Sequence, residues 1–533
     1  MCLHHHQVKV DPVVPTTYKE ALESPDCVYW IRAMVEELNT LRKLRTWNIV
    51  ELPEYRRAIG CKWVFKIKRD ALGNIIRYKA RLVALGYRQK EGLDYKETFA
   101  PVARMTSQRL LVSVAAHEDL ALYQIDIDNA YLNGDIDTTI FMTQPEGFVD
   151  PRFSDTKRYV CELQKGLYGL KQAGNIWHTA IHTYILELGF RPTTGDKCVY
   201  TKSMDGSRML IALHVDDFHC AGKPSQVEWL IAGLKKRYSL KYQKADLCLG
   251  LKIDKLPNGG YTISQQHYLE ALLKELELQD CKPASTPMTK GEVDALVSGD
   301  NGAKPLNAKD HALYRTIVGK LMYAMVGSRP DLAFALSILG RYAAAPDSYH
   351  MSLAKRVLKY VKGTITYKLY YSKPKTKTPI LLGYVDSDWA NSADRKSTTG
   401  FAFFLGEHAI SWCSKKQPTV ATSTTVAEYI ALYEVSTETR CLRTLLAEVK
   451  IPQAKATIIK EDNQTAIRLA EDDASHKRTK HIDVKYHFSK ELQDRGETKI
   501  EYVPSQENIA DFFTKPLPHD QHIAFCKQLG LRP

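Results

Sequence analysis

The stretch Leu210-Ile211-Ala212-Leu213-His214-Val215-Asp216-Asp217-Phe218 decides the fold of this chain. Its apolar run ends in two adjacent acids, which predicts two short strands that meet at a turn between residues 209 and 221. Adjacent carboxylates repel each other, so acids at the tip of an apolar hairpin favour a bound divalent cation. A polar turn without a ligand is the alternative, and it is the commoner outcome for an isolated Asp-Asp pair.

A second acid-bearing strand is predicted earlier in the chain, over residues 120–128. Period-two alternation gives this strand two different faces. The apolar face is formed by Tyr123, Ile125 and Ile127, and the polar face by Gln124, Asp126 and Asp128. A half-buried strand that presents acids is costly unless a cation or solvent compensates them. Two such strands in one basic chain therefore favour metal-dependent chemistry over the polar turn.

Length and composition restrict the class of protein. The chain has 533 residues, of which 44% are hydrophobic and 25% charged, and its formal net charge is +13. This length predicts roughly two to four globular domains, and the spread of basic charge favours a groove for a polyanion. No apolar run is as long as the roughly 18 residues of a membrane span, and the N-terminus resembles no signal segment, so we expect an intracellular protein with no membrane partner. Eleven cysteines without a CxxC pair argue against a disulfide framework or a structural zinc site.

Four acids in the last third of the chain form a second candidate metal site. Asp386 and Asp462 each follow a predicted strand, whereas Glu428 and Asp511 lie in predicted helices. Each of these acids alone is more often a surface residue. Together, acids from several elements of one mixed sheet are the ligands that a two-metal nuclease site requires.

Motifs in a fixed order resemble the reverse transcriptases of copia-type LTR retrotransposons. The matching segments are residues 62–66 (KWVFK), 79–84 (KARLVA), 124–134 (QIDIDNAYLNG), 167–173 (LYGLKQA) and 215–217 (VDD). The resemblance extends over residues 17–518. His214 and Gly174 depart from the family pattern, which usually has tyrosine and proline there, but neither is an implied metal ligand.

The resemblance implies an RNA-directed and DNA-directed DNA polymerase. Asp126, Asp216 and Asp217 are the implied catalytic residues and would hold a pair of Mg²⁺ ions, which Mn²⁺ could replace. Nucleotide-binding roles are implied for Lys79, Arg81, Tyr131, Tyr168 and Gly169. Tyr131 occupies the steric-gate position that selects deoxynucleotides. A solvated basic strand remains the alternative for Lys79 and Arg81, and an ordinary core aromatic remains the alternative for Tyr131.

Residues 314–323 resemble the thumb helix of these enzymes. Gly319 and Tyr323 are the candidates there for contact with the minor groove of the primer–template duplex, although much of the helix is core. His214, before the paired acids, is implied to contact the primer.

The C-terminal block resembles copia-type RNase H domains. The matching segments are residues 394–400, 411–417, 427–429, 462–464 and 510–515. The resemblance implies that four acids are catalytic metal ligands of a hybrid-cleaving endonuclease: Asp386, Glu428, Asp462 and Asp511. The choice of Asp386 over Asp388 depends on the alignment alone. Arg478 and Lys480 are implied to follow the backbone of an RNA–DNA hybrid.

The expected fold class is α/β and α+β multidomain, with a right-hand polymerase of fingers, palm and thumb followed by an RNase H-like mixed α/β domain. The expected segments are an N-terminal tail (1–16), fingers and palm (17–288), a linker (289–310), thumb-like helices (311–371), a linker (372–378), RNase H (379–518) and a C-terminal tail (519–533). The expected partners are an RNA template, a DNA primer, an RNA–DNA hybrid, dNTPs, and the integrase and capsid proteins of the retrotransposon. The expected location is the cytoplasm, in virus-like particles, with a nuclear phase. A catalytically silent or domesticated relic that binds nucleic acid is the alternative, although all seven predicted acids are present.

Overall fold

The computed structural model describes residues 12–69, 74–257, 259–299, 302–373, 379–390, 392, 394–471 and 488–533. Two compact units are present. The first comprises the chain up to Val102, Ile127–Phe190 and Gly233–Lys241, and the second comprises Ala103–Asp126, Arg191–Ala232 and the chain from Tyr242 onward. Each unit is therefore built from segments that are separated in sequence.

The helices of the described residues are α1 (Tyr18–Glu23), α2 (Cys27–Lys43), α3 (Met105–Glu118), α4 (Ala173–Glu187), α5 (Pro224–Lys235), α6 (Gln266–Glu275), α7 (Lys290–Ser298), α8 (Ala308–Gly327), α9 (Ala333–Arg341), α10 (Ser348–Gly363), α11 (Thr424–Glu448), α12 (Gln464–Glu471), α13 (Phe488–Asp494) and α14 (His519–Gln528). The strands are β1 (Trp47–Glu51), β2 (Cys61–Arg69), β3 (Ile75–Ala84), β4 (Ala121–Ile127), β5 (Phe141–Met142), β6 (Tyr159–Leu163), β7 (Arg191–Pro192), β8 (Val199–Met204), β9 (Ser207–His214), β10 (Asp217–Gly222), β11 (Leu240–Lys244), β12 (Leu247–Cys248), β13 (Leu251–Lys255), β14 (Gly260–Ser264), β15 (Lys368–Ser372), β16 (Leu381–Asp388), β17 (Thr398–Leu405), β18 (His408–Lys416), β19 (Thr457–Glu461), β20 (Thr498–Tyr502) and β21 (Leu531–Arg532).

In the first unit, the β2–β3 hairpin packs one face against α2. Alternation along β2 buries Trp63 and Phe65, and the core they join includes Leu82 of β3 and Trp30 of α2. The opposite face carries the basic side chains, because lysine and arginine alternate with these apolar residues. A three-stranded sheet in the order β1-β6-β5 completes this unit.

In the second unit, β4, β10, β9, β8 and β7 follow one another in a six-stranded central sheet whose edge strand beside β4 is β11. The predicted strands of residues 209–221 are confirmed as β9 and β10, which pair with each other. The five residues from Met209 to Leu213 are all buried, because β9 lies between β8 and β10 and is covered on both faces. This apolar strand positions the acids at its end.

The C-terminal part of the second unit contains helical and mixed layers. Helices α6–α10 share one apolar core, and β12-β13-β14-β15-β21 form a sheet. The last sheet has the order β18-β17-β16-β19-β20, in which β16, β19 and β20 run parallel and β16, β17 and β18 antiparallel. With α11 packed on β16, this part is the mixed α/β arrangement that the order of predicted elements indicated.

Two segments differ from the sequence-based expectation. Residues 289–310, expected as a linker, contain α7, whose first turn has a capping box of Thr289 and Glu292 and whose Val293 and Leu296 are buried. Residues 519–533, expected as a tail, form α14 and β21, and β21 pairs with β15. Buried apolar side chains, Leu531 among them, explain the order of this segment. Of the helices in the described ranges, none combines the length and apolarity that a membrane crossing needs.

Candidate functional sites

Asp126, Asp216 and Asp217, the central acid cluster, meet at one end of the central sheet. Antiparallel pairing places Asp126 of β4 directly opposite Asp217 of β10, and Asp216 lies in the two-residue turn before β10. Side chains in such a pair have Cβ atoms about 4.5–5.5 Å apart, where like charges destabilise the sheet. Asp126 and Asp217 therefore form a like-charged pair, and Asp216 lies directly before Asp217 in the turn.

The turn that carries Asp216 is strained. Val215 has a φ of +56°, a left-handed conformation that is a genuine outlier for a β-branched residue. Two-residue hairpin turns need a positive φ and normally use glycine there. Such strain persists only where the surrounding structure holds it, and it is concentrated at functional sites.

Asp217 and Asp128 differ in their surroundings. Burial raises the pKa of Asp217, as does the charge of Asp216, whereas a hydrogen bond from Gln124 and the nearby His214 lower it. The Gln124 Nε2 donates to Asp217 Oδ1 at 3.1 Å. Asp128, on the same face of the predicted strand, instead accepts a hydrogen bond from Ser239 Oγ at 2.7 Å.

The exposed face of the β2–β3 hairpin is rich in basic side chains, and of these Arg77 is paired with Glu36 at 2.9 Å. The pairing sets Lys66 opposite Lys79 and Lys68 opposite Arg77, and like charges in such pairs are destabilising. Burial, followed by the charges of Arg81 and Lys68, lowers the pKa of Lys79. An anion would relieve this repulsion, so the face is suited to bind phosphate.

Arg81, Tyr168 and Tyr131 form one aromatic and cationic group in the first unit. The Arg81 guanidinium lies 4.4 Å from the centroid of the Tyr168 ring, and that ring meets Tyr131 edge to face at 5.1 Å. Gly169 follows with a φ of +90°, and a Cβ there would collide with the carbonyl oxygen of Ala84 in β3. Glycine at this position therefore permits the close approach that brings Tyr168 to Arg81.

The C-terminal acid cluster comprises Asp386, Glu428, Asp462 and Asp511. Parallel pairing of β16 and β19 brings Asp386 near Asp462, which follows β19. Glu428 enters from the first turns of α11, which is capped by the side chain of Ser423. Ligand oxygens of Asp386, Glu428 and Asp462 all lie within 4.8 Å of one another, a donor set that fits a divalent cation.

Asp511 joins this cluster through Lys515, a residue that the sequence reasoning did not single out. Lys515 Nζ lies 2.8 Å from Asp511 Oδ1 and 4.0 Å from Asp386 Oδ2. Burial raises the pKa of Asp511 to about 7, and the charge of Asp386 acts in the same direction. Burial likewise raises the pKa of Asp386, which Lys515 opposes. The spacing of four residues between Asp511 and Lys515 was the available signal.

Glu461 is a further buried acid that the sequence reasoning missed. It is fully buried, and its Oε1 accepts a hydrogen bond from the backbone N–H of Asn463 at 2.9 Å. The Oε2 atoms of Glu461 and Glu428 are buried without a hydrogen-bond partner. Burial first, and then neighbouring carboxylates, raise the pKa of both groups. Orphaned carboxylate oxygens of this kind are what a cation site requires before the cation binds.

Two of the predicted nucleic-acid contacts, Gly319 and Tyr323, lie on α8. Gly319 is exposed on α8, with open space where a Cβ would stand. Tyr323, one turn further on, is 38% exposed, and its hydroxyl donates to the Leu249 carbonyl at 2.6 Å. Arg478 and Lys480 lie outside the described residues.

Comparisons with known proteins identify the family of this chain. A family model described as reverse transcriptase (RNA-dependent DNA polymerase) matches residues 44–290. The chain is 38% identical over 523 residues to the retrovirus-related Pol polyprotein from transposon TNT 1-94 of Nicotiana tabacum, an alignment of 97% of this chain and 39% of that protein. It is 35% identical over 506 residues to the corresponding polyprotein from transposon RE1 of Arabidopsis thaliana, with 94% and 34% covered. It also covers 100% of the putative transposon Ty5-1 protein of Saccharomyces cerevisiae, at 33% identity over 324 residues.

These similarities and the acids at the tip of the β9–β10 hairpin define the class of protein, which is one that contains a reverse transcriptase domain. More specifically, the chain belongs to the copia-type retrotransposon Pol polyproteins. It spans 39% and 34% of the length of the tobacco and Arabidopsis polyproteins.

Proposed function

We propose that this chain is an RNA-directed and DNA-directed DNA polymerase with an RNase H activity, which copies retrotransposon RNA into DNA and degrades the RNA of the hybrid. The observation that carries the polymerase proposal is the pairing of Asp126 with Asp217 beside Asp216, in a chain of the reverse transcriptase family. In this proposal residues 17–288 form the fingers and palm, residues 311–371 form the thumb, and residues 379–518 form the RNase H domain.

In the synthesis site, Asp126, Asp216 and Asp217 would hold divalent cations, Mg²⁺ or in its place Mn²⁺. When bound, such cations lower the pKa of the primer 3′-hydroxyl and stabilise the charge on the leaving pyrophosphate. Lys79 and Arg81 bind the triphosphate as charge-assisted donors. The strained turn at Val215 holds the carboxylate of Asp216 in place before substrate arrives.

Selection of the nucleotide is assigned to the first unit. Tyr131 is half-buried against Tyr168, so its ring is held firmly enough to exclude a ribose 2′-hydroxyl. Arg81 is held in turn by the ring of Tyr168. The sugar and the triphosphate of one deoxynucleotide are thereby recognised by one connected group of side chains.

The nuclease proposal depends on the C-terminal acid cluster. Asp386, Glu428 and Asp462 provide ligand oxygens close enough to share a cation, and Asp511 adds a fourth carboxylate. Lys515 balances part of this charge in the free protein, and in this proposal its ammonium group binds a phosphate of the RNA strand.

Primer extension on an RNA template with Mg²⁺ tests both activities at once. Asp216→Asn should abolish extension, and Asp128→Asn is the matched control, because Asp128 is engaged by Ser239 and not by the cluster. Glu428→Gln should leave extension intact while the RNA of a hybrid stays uncut. Equal extension by the wild type and Asp216→Asn would reject the polymerase, and continued cutting by Glu428→Gln would reject the nuclease site.

The alternative role is a relic that binds nucleic acid without catalysis. Its signature would be binding of a primer–template duplex by the wild type without extension or cutting under the same conditions. For the active enzyme we further propose that retrotransposon integrase and capsid proteins are partners, and that it acts in cytoplasmic virus-like particles with a nuclear phase.

A further inference from the structure

Arg109, on α3, is a buried arginine that donates hydrogen bonds to three backbone carbonyls. Its side chain is almost entirely removed from solvent. The Nε atom donates to the carbonyl of Ile410 at 2.8 Å, and Nη1 donates to the carbonyls of Val326 at 2.5 Å and Gly327 at 3.3 Å. Burial lowers the pKa of Arg109 to about 10, so the guanidinium remains charged at neutral pH.

The carbonyls that Arg109 contacts belong to the C-terminus of α8. The last carbonyls of a helix have no partner within the helix and form the negative end of its dipole. Arg109 satisfies those of Val326 and Gly327, and the Nε1 of Trp412 donates to that of Met325 at 3.2 Å. A cation at this end of a helix is stabilised by the dipole, which explains how the buried charge of Arg109 is compensated.

Trp412 also lies against the guanidinium itself. The Arg109 Cζ atom is 3.7 Å from the centroid of the Trp412 ring, a cation–π contact in a desolvated site. Arg109 of α3 and Trp412 of β18 therefore contact each other and together hold the end of α8. A planar guanidinium can stack and donate to several carbonyls at once, which a lysine ammonium cannot do.

Neighbouring contacts extend this joint on both sides. One turn along α3, Ser113 Oγ and His408 Nδ1 are 2.8 Å apart. The carboxylate of Glu448, at the end of α11, accepts hydrogen bonds from the N–H and hydroxyl of Thr194 at 2.9 and 2.6 Å. The central sheet and the C-terminal sheet thus belong to one unit with polar contacts on several elements.

We propose that Arg109 is a positioning residue that sets the distance along a bound hybrid between synthesis at the central acid cluster and cutting at the C-terminal acid cluster. The inference rests on the proposed polymerase and nuclease functions. α3 belongs to the part of the unit that carries the central cluster, and β18 belongs to the sheet that carries Asp386. Arg109 connects both to α8.

In this proposal helix α8 is the element that contacts the hybrid and so links the joint to its path. Its exposed stripe carries Gly319, Met322, Tyr323 and Val326, of which Gly319 and Tyr323 are the predicted contacts for the minor groove of the duplex. Because Arg109 holds the end of this helix against β18, a change at the joint alters the path of the hybrid toward the nuclease. The chemistry at either acid cluster is left as it was.

Mapping of RNA cuts on a hybrid with a fixed primer terminus tests this proposal. The variants are Arg109→Lys, which keeps the charge but not the planar donor geometry, and Trp412→Phe, which keeps a ring but loses the donor to Met325. Arg443→Met is the matched control, because Arg443 also donates to backbone carbonyls, at 3.0 Å to Lys455 and Gln453, but within the C-terminal part alone.

We expect primer extension to be retained in Arg109→Lys and Trp412→Phe, while cutting at the main wild-type position falls about tenfold and new cuts appear beside it, since small misplacements at a catalytic centre are costly. Arg443→Met should keep the wild-type positions even if its cutting is slower. Unchanged positions in both joint variants would overturn the proposal, whatever the rate.

The result separates this proposal from the functions on which it depends. If the wild type does not cut, the nuclease assignment fails, and the joint is then judged from the length of duplex protected in a footprint of the stalled complex. A protected length that is the same in Arg109→Lys and wild type would overturn the positioning role. A changed length in Arg109→Lys but not in Arg443→Met would support it.

Discussion

Glu428→Gln should make the protein more stable in the absence of divalent cations. The Glu428 carboxylate lies within 4.8 Å of ligand oxygens of Asp386 and Asp462, and its Oε2 is buried without a hydrogen-bond partner. At 4.8 Å two ionised carboxylates repel by about 3.5 kcal/mol, for an effective dielectric constant of about 20. Glutamine has nearly the same shape and removes this repulsion.

Protonation limits how large the gain can be. Burial and neighbouring acids raise the pKa of Glu428 well above its ordinary value of 4.5, so the folded state can keep the group neutral. Doing so at pH 7.5 costs the folded state about 4 kcal/mol, at 1.36 kcal/mol for each pH unit above 4.5. Allowing for an imperfectly placed amide, we expect a gain of about 2 kcal/mol in the free energy of unfolding, or about 2–4 °C in Tm, because the Tm shift per kcal/mol falls as the unfolding unit grows.

Thermal unfolding in EDTA and with Mg²⁺ measures this effect. The wild type should be stabilised by the cation, by about 2.7 kcal/mol at 100 times its Kd, whereas Glu428→Gln should gain much less. In EDTA the advantage of the variant should shrink as the pH falls toward 4.5, because glutamate is then protonated in the folded and unfolded chains alike. Glu434→Gln, on the same helix and paired with Lys415 at 3.5 Å, is the control and should show no gain.

Two results would refute this reasoning. A variant that is less stable than the wild type in EDTA would show that repulsion between Glu428 and its neighbouring carboxylates does not destabilise the wild type. Equal stabilisation of both proteins by Mg²⁺ would show that the cation is not bound through Glu428.

Three further predictions concern other sites. Tyr131→Ala should reduce discrimination against ribonucleotides by about 10- to 100-fold in primer extension with rNTPs; unchanged discrimination would make Tyr131 an ordinary packing residue. Lys515→Met should slow hybrid cutting. Because it leaves Asp511 without its ion pair, it should also lower the unfolding free energy in EDTA by about 1–2 kcal/mol. A stability equal to wild type in urea unfolding would contradict this. Burial lowers the pKa of His522 to about 4, so between pH 6.5 and 4 the unfolded chain binds a proton that the folded chain does not. The wild type therefore loses stability as the pH falls through this range, and in His522→Gln this loss should be smaller by up to about 3 kcal/mol. Parallel pH curves for His522→Gln and wild type would exclude this histidine as the cause.

Local patterns in the sequence predicted the elements that carry the acids. The apolar run of residues 210–213 before Asp216 and Asp217 predicted the β9–β10 hairpin. Period-two alternation over residues 120–128 likewise predicted the acid-bearing strand β4. These predictions succeeded because periodicity is a property of neighbouring residues, and it decides which face of a strand is buried.

Local composition was misleading where long-range packing orders the chain. Residues 289–310 are rich in the residues that form linkers, yet Val293 and Leu296 bury themselves in the core of α6–α10 and order α7. Residues 519–533 are ordered in the same way, because β21 has an edge of β15 to pair with. The local sequence of neither segment shows the distant residues with which it packs or pairs.

By itself, the sequence determined that acids stand at the ends of apolar strands and in helices, because burial patterns and motifs are written in adjacent residues. Only the tertiary structure decided which of them share space. It placed Glu461 and Lys515 among the predicted ligands and brought Arg109 to the end of α8, 217 residues away along the chain. The physical reason is that a buried charge is stable only where distant elements supply its partner, and no local pattern records that partner.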